Sequence, residues 1–178
     1  MPLKIHYSLY KVSFVPARRN IETTIDNREI YALEFRSLEE SIEDKNLIFI
    51  DEVGFAVSTR TSKGRSLIGT QANLSVPAVR TRNISIFAAM NKYGMIIYEV
   101  FKRPINGEDF KTCLVNLKER CDVMSIKNQV FIMDNARIHH YCGLHEIIQR
   151  MGLRMVYLPP YSPFMNPIEN CFLNGKIM

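Results

Sequence analysis

The chain has no tryptophan, and no apolar run much longer than a buried strand, so nothing in it has the length to span a membrane. Its first residues, Met1-Pro2-Leu3-Lys4-Ile5-His6, lack the apolar stretch of a signal peptide. No low-complexity segment or repeat interrupts it. Four cysteines (Cys113, Cys121, Cys142, Cys171) fit neither a disulfide framework nor a zinc ribbon, and read as reduced thiols of an intracellular protein. A glycine-rich phosphate loop and a Gly-x-Ser-x-Gly elbow are both missing, so nucleotide hydrolases and acyl transferases gain no support. Acids are missing too, over one long stretch. Residues 53 to 98 contain none, but carry Arg60, Lys63, Arg65, Arg80, Arg82 and Lys92. Such a segment suits contact with a nucleic acid, against the plainer alternative of loop cations that are merely solvated.

What is present is enough for one substantial core: 178 residues, 47% of them hydrophobic. Residues 3–16 read as a strand or extended arm. Residues 20–44 read as a helix capped by Asn20, with Ile21, Ile25, Tyr31, Phe35, Leu38 and Ile42 near one face. From residue 46 the pattern alternates between strand and helix. Strands are expected at 47–51, 55–59, 84–90, 95–101, 130–133 and 154–158, with a basic loop over 61–79. Helices are expected near 108–121 and 139–151, the second closed by Gly152, and a last one begins at Asn166-Pro167. This order suits an α/β fold with a mixed five-stranded sheet, antiparallel in front and crossing over in parallel behind. The wholly apolar tetrads Leu47-Ile48-Phe49-Ile50 and Val130-Phe131-Ile132-Met133 mark strands covered on both faces, able to lie side by side.

Each tetrad is followed by an aspartate, Asp51 and Asp134, and open α/β sheets place their sites at such an edge. A third acid, Glu169, follows the proline-rich run from Pro159. Three clustered carboxylates repel one another unless they hold metal. Each also has a plainer reading. Asp51 suits a turn and Asp134 a helix cap, while Asn166, Pro167 and Glu169 have capping-box spacing. Alternation sends Glu52 to the other side of the strand from Asp51, which makes it the weaker candidate. His139, Cys142 and His145 invite a zinc reading, but helical twist spreads them; His139 is better placed as a packing or supporting residue beside Asp134. Tyr161 and Phe164 suit either stacking on bases or pinning the loop to the core.

Three blocks carry a more specific signal: Phe49-Ile50-Asp51-Glu52-Val53-Gly54, Met133-Asp134-Asn135-Ala136-Arg137-Ile138-His139, and Leu158-Pro159-Pro160-Tyr161-Ser162-Pro163-Phe164-Met165-Asn166-Pro167-Ile168-Glu169-Asn170. In this order, with 34 residues between Asp134 and Glu169, they resemble the catalytic blocks of mariner-like DDE transposases. The resemblance covers residues 46–178. It is weaker over 8–45, where Lys11-Val12-Ser13-Phe14-Val15-Pro16 and the following helix resemble the family's linker.

The resemblance implies a ribonuclease-H-like fold and two divalent ions, Mg²⁺ or Mn²⁺. Asp51 would bridge the ions, with Asp134 and Glu169 each completing one site and Asn135, His139 and Asn166 in support. DNA cleavage and strand transfer would proceed without a covalent enzyme intermediate, on transposon ends and target DNA, in a possible homodimer and away from any membrane. Residues 1–45 would be a linker arm that follows a helix-turn-helix region, and residues 46–178 the catalytic domain. Family members carry two helix-turn-helix modules before the linker and a longer helix after the glutamate, so truncation at both ends is expected here. An inert remnant that only binds nucleic acid is therefore the alternative. Another ribonuclease-H-like nuclease, acting on RNA–DNA hybrids, fits the fold but not the blocks.

Overall fold

The computed structural model describes residues 16–56, 71 and 83–173. The expected arm over 3–16, apart from Pro16, lies outside them. So do residues 57–59, almost all of the basic loop, and the cations Arg60, Lys63, Arg65, Arg80 and Arg82.

Five strands form one mixed sheet: β1 (Leu47–Ala56), β2 (Asn83–Asn91), β3 (Gly94–Phe101), β4 (Val130–Met133) and β5 (Arg154–Tyr157), in the spatial order β3-β2-β1-β4-β5. β1, β2 and β3 are antiparallel neighbours, and β4 and β5 continue in parallel from β1. This is the mixed five-stranded sheet that the strand order predicts, and it agrees with the ribonuclease-H-like fold that the resemblance implies. Among the described residues, four helices cover the sheet: α1 (Glu22–Ser41), α2 (Gly107–Val123), α3 (Cys142–Arg150) and α4 (Pro167–Leu173).

Alternation along the strands divides the core. Ile48, Ile50, Phe131 and Met133 point to one face and pack with Phe110, Leu114 and Leu117 of α2 and Leu144 of α3. Leu47, Val130 and Ile132 point to the other, under Tyr31 and Leu38 of α1. Ile168 of α4 closes that second face over Ile86 and Ala88. The two tetrads are apolar throughout because both faces are covered.

Four sequence expectations need correction. The strands expected at 47–51 and 55–59 are one continuous β1, since its ladder with β2 runs unbroken from Phe49↔Met90 to Ala56↔Asn83. The parallel ladder with β4 stops at Phe49↔Ile132. Asp51 is thus not at a strand end; it lies where β1 loses one of its two neighbours.

Asn20 does not cap α1. It ends a short 3-10 turn (Ala17–Asn20), and extended Ile21 precedes the helix without a side-chain cap. Ile21 and Ile25 are exposed, and of the six apolar residues expected on one face only Tyr31, Phe35, Leu38 and Ile42 meet the core.

The helix expected over 139–151 is broken. A 3-10 turn (Arg137–His140) and extended Tyr141 precede α3, and this break turns His139 into the core, 1% exposed. Gly152 does close α3, at φ +60, where a side chain is disfavoured.

Finally, the Asn166–Glu169 capping box does not form. Glu169 N–H donates to the backbone carbonyl of Asn166 at 3.2 Å, while the Asn166 side-chain amide donates to Ile50 O, also at 3.2 Å.

Candidate active site

The end of the β1–β4 ladder makes the cleft. Two rungs beyond Phe49↔Ile132 come Asp51 and Asp134, so the register brings both to one level on the face shared with α1 and α4. Glu169, in the first turn of α4, forms a third wall. All three line a cleft of about 430 Å³ together with Asn135, Asn166 and Tyr161. Among the described residues, no three acidic, histidine or cysteine side chains close around a single point as a ready-made metal cage.

Asp51 is 8% exposed and its Oδ1 accepts the Glu52 N–H at 2.8 Å. Burial first, and then the neighbouring Glu169, Glu52 and Asp134, push its carboxyl up to about 8 against the effect of that hydrogen bond. Asp134 is set the opposite way. The hydrogen bond from His139 holds it below the usual carboxylate range although partial burial opposes this. Its Oδ1 also accepts the Ala136 N–H at 3.1 Å.

His139 connects the two faces of the sheet. Its Nδ1 faces the backbone carbonyl of Asp134 at 2.8 Å and the carboxylate Oδ1 at 3.0 Å. Its Nε2 faces the Glu52 carboxylate at 3.0 and 3.2 Å. Both ring nitrogens meet only acceptors, so each carries a proton and the ring is an imidazolium. Burial works to lower its pKa, but the bonds to Asp134 and Glu52 push it up to about 10. Phe110 lies against the ring, centroids 4.5 Å apart. Asn135 lies at the cleft mouth, its side-chain carbonyl accepting from His140. His145 bonds Gln149 on the exposed side of α3 and takes no part in this constellation.

Asn166 ties α4 to β1 at the residue just before Asp51, which fixes Glu169 relative to the first aspartate. Its own Oδ1 is buried without a partner among the described residues. The proline-rich loop is held by α1. Arg28 Nε donates to Ser162 Oγ at 2.8 Å, and its Nη2 donates to Arg19 O at 2.6 Å and Tyr161 O at 3.3 Å. Phe164 is exposed rather than pinned in the core, with the Arg19 and Arg28 guanidiniums 5.5 and 5.4 Å from its ring centre.

Sequence reasoning ranked Glu52 as the weaker candidate without seeing its partner, and did not single out Arg28. The spacing of His139 from Asp134 hinted at a partner but not at Glu52, 87 residues away, and Arg28 contacts a loop more than 130 residues distant. Arg28→Ala should leave the sheet intact and loosen this loop, costing about 1–2 kcal/mol for charge-assisted bonds at a partly solvated site. Backbone amides of residues 162–169 would then exchange faster with solvent; unchanged exchange there would contradict the assignment.

A ribonuclease-H-like sheet with carboxylates at the end of its central parallel pair is an arrangement suited to a nuclease. Residues 46–176 match the family model described as DDE superfamily endonuclease, and the chain belongs to that family. No curated protein sequence matches it. Solved structures share its fold at low identity. The mariner Mos1 paired-end complex with Mg superposes with a TM-score of 0.71 at 17% identity, covering 94% of this chain and 52% of that one. The Mos1 mariner transposase catalytic domain gives 0.64 at 15% identity, covering 93% and 74%. The Mos1 complex with the left transposon end gives 0.69 at 15%, covering 95% and 52%. The present chain thus spans about half the length of the Mos1 chains in those complexes.

Proposed function

We propose that this chain is the catalytic domain of a mariner-like transposase, which cleaves DNA phosphodiester bonds and transfers the freed strand at the Asp51–Asp134–Glu169 cleft. The observation that carries this reading is the shared level of Asp51 and Asp134 on neighbouring parallel strands, with Glu169 facing them from α4. The donors suit two Mg²⁺ or Mn²⁺ ions. Hard oxygen ligands match them, and such ions are commonly held by one or two carboxylates with water and phosphate completing the shell, so no closed cage is needed. Asp51 gives a second reason. A buried carboxylate that retains its proton to about pH 8 for want of a counter-charge is a group that a cation would relieve.

Bound at such acids, divalent ions lower the pKa of an attacking water or 3′-hydroxyl and stabilise the leaving oxygen. The chain's own part is positional. β1 holds Asp51 rigidly, and by the family resemblance this residue would serve both ions. Asp134 and Glu169 would each complete the shell of one, and Asn166 keeps α4 in register with β1. Transposon ends and target DNA are the substrates. The acid-free segment that follows β1, with Arg60, Lys63, Arg65, Arg80 and Arg82, supplies positive charge to hold the strand. A homodimer bringing two ends together, working on nuclear DNA in a eukaryote or otherwise in the cytoplasm, completes the reading.

The test is nicking of a duplex with a defined 3′ end in Mn²⁺, wild type against Asp134→Ala. Loss of about 4 kcal/mol of charge stabilisation in the transition state corresponds to roughly a thousandfold slower cleavage. Equal background nicking by the two proteins would refute catalysis and favour the alternative of an inert, DNA-binding remnant.

A further inference from the structure

Glu52 follows Asp51 on β1 and points to the opposite face of the sheet, away from the cleft. It still bonds Asp51 directly and reaches Asp134 through His139. Its backbone N–H donates to Asp51 Oδ1 at 2.8 Å, and its carboxylate meets His139 Nε2, whose other nitrogen meets Asp134 Oδ1. The run from Glu52 through His139 to Asp134 therefore passes through the core, around the end of β4.

Asp134 needs such support. It is the first residue beyond β4, and its side chain is 53% exposed, so nothing in the strand ladder fixes its rotamer. Its Oδ1 is taken by Ala136 N–H and His139 Nδ1, which leaves Oδ2 directed elsewhere. His139 has no exposed side-chain surface, and Phe110 covers one face of the ring. On the Nε2 side, the Glu52 carboxylate at 3.0 and 3.2 Å sets the rotation of the ring. Its removal would leave a buried ring nitrogen unsatisfied and the ring held from one side only.

We propose that Glu52 is a positioning residue: through His139 it locks one oxygen of Asp134 and so presents the other to a divalent ion. This rests on the metal-site reading above. Supporting groups of this kind typically change metal affinity ten- to a hundredfold when removed.

The experiment is calorimetric titration of Mn²⁺ into the metal-free protein, restricted to variants shown to be folded by their melting curves. Glu52→Ala should bind Mn²⁺ about 10- to 100-fold more weakly than wild type. Glu52→Gln keeps an oxygen acceptor at the same reach and should recover most of that loss. His139→Ala should be as weak as Glu52→Ala, and the double variant no weaker than His139→Ala alone, since the two act in series. Should Glu52→Ala not fold, Glu52→Asp takes its place: it keeps the charge but cannot reach Nε2, and should bind as weakly as His139→Ala.

A purely structural ion pair would lower the melting temperature and leave the Mn²⁺ affinity of the folded protein unchanged. That result, or additive losses in the double variant, overturns the role of Glu52. If wild type itself binds no more tightly than Asp134→Ala, the metal site fails and the clamp with it. Wild-type binding with an unaffected Glu52→Ala variant removes only the clamp.

Discussion

Asp51→Asn should abolish metal-dependent nicking and, in the same protein, raise the stability of the metal-free fold at alkaline pH. On the proposed function, the loss follows from removing the carboxylate that would serve both ions, and should match or exceed that of Asp134→Ala. The gain follows from burial. The folded-state pKa of Asp51 is raised from 3.8 to about 8, first by desolvation and then by Glu169 and Glu52. Between those two values the folded protein binds more protons than the unfolded chain. Its stability therefore falls as pH rises from about 4 through about 8, and the full penalty is present above that. At about 1.4 kcal/mol per pH unit, with the cluster's mutual coupling allowed for, a few kcal/mol are at stake.

Asparagine carries no charge at any of these pH values. Its effect should be modest at pH 5, only about one pH unit above the unfolded value, and several-fold larger and stabilising at pH 9. Mn²⁺ should show the complementary pattern. It should stabilise wild type strongly above pH 8 and weakly at pH 5, and do little for Asp51→Asn at either. Thermal melts at the two pH values, with and without Mn²⁺, check all four corners. Equal effects of the substitution at pH 5 and pH 9 would mean that Asp51 is not under electrostatic stress.

The second large effect lies beneath the site. Phe110 is fully buried, packs edge-on against Phe87 with centroids 5.7 Å apart, and supports the His139 ring. Truncation to alanine opens a cavity between α2 and the sheet and should cost about 3–5 kcal/mol. For a domain of this size that is roughly 6–20 °C in melting temperature. The damage should reach the cleft as well. With no ring beneath it, His139 loses its fixed tilt, and Asp134 loses the bond that holds its pKa low. Phe110→Ala should thus melt early and, at temperatures where it is still folded, bind Mn²⁺ more weakly than wild type. Phe110→Leu refills most of the volume and should recover stability in larger measure than ion affinity. Recovery of both in equal measure would show that Phe110 only fills space.

Much of this arrangement was legible in the sequence because it is local. Two apolar tetrads announce strands buried on both faces, and strand order alone makes them parallel neighbours. Gly152 marks the end of α3 through a backbone angle that few other residues adopt. What escaped depends on neighbours in space. Asp51 looked like the end of a strand because a run of apolar residues ends there. β1 continues because β2 goes on pairing with it, and a period-two pattern cannot say which neighbour stops first. Asn166 has the chemistry of a cap, yet a carbonyl on β1 takes its amide instead. Ile21 and Ile25 share the periodicity of α1 and are exposed all the same. Glu52 ranks as the weaker candidate because alternation points it away from the cleft; the direction holds, and His139 carries its influence back.

The central claim is that an ion held by Asp51, Asp134 and Glu169 meets the phosphate being cut. Replacing one non-bridging oxygen of that phosphate by sulfur tests it most directly, since sulfur is a poor ligand for hard Mg²⁺ and a better one for the softer Mn²⁺. On such a substrate, cleavage in Mg²⁺ should slow by at least about tenfold for one of the two sulfur stereoisomers, and Mn²⁺ should restore it. Cleavage that sulfur slows equally in both metals, or in neither, would contradict a metal-to-phosphate contact at this cleft.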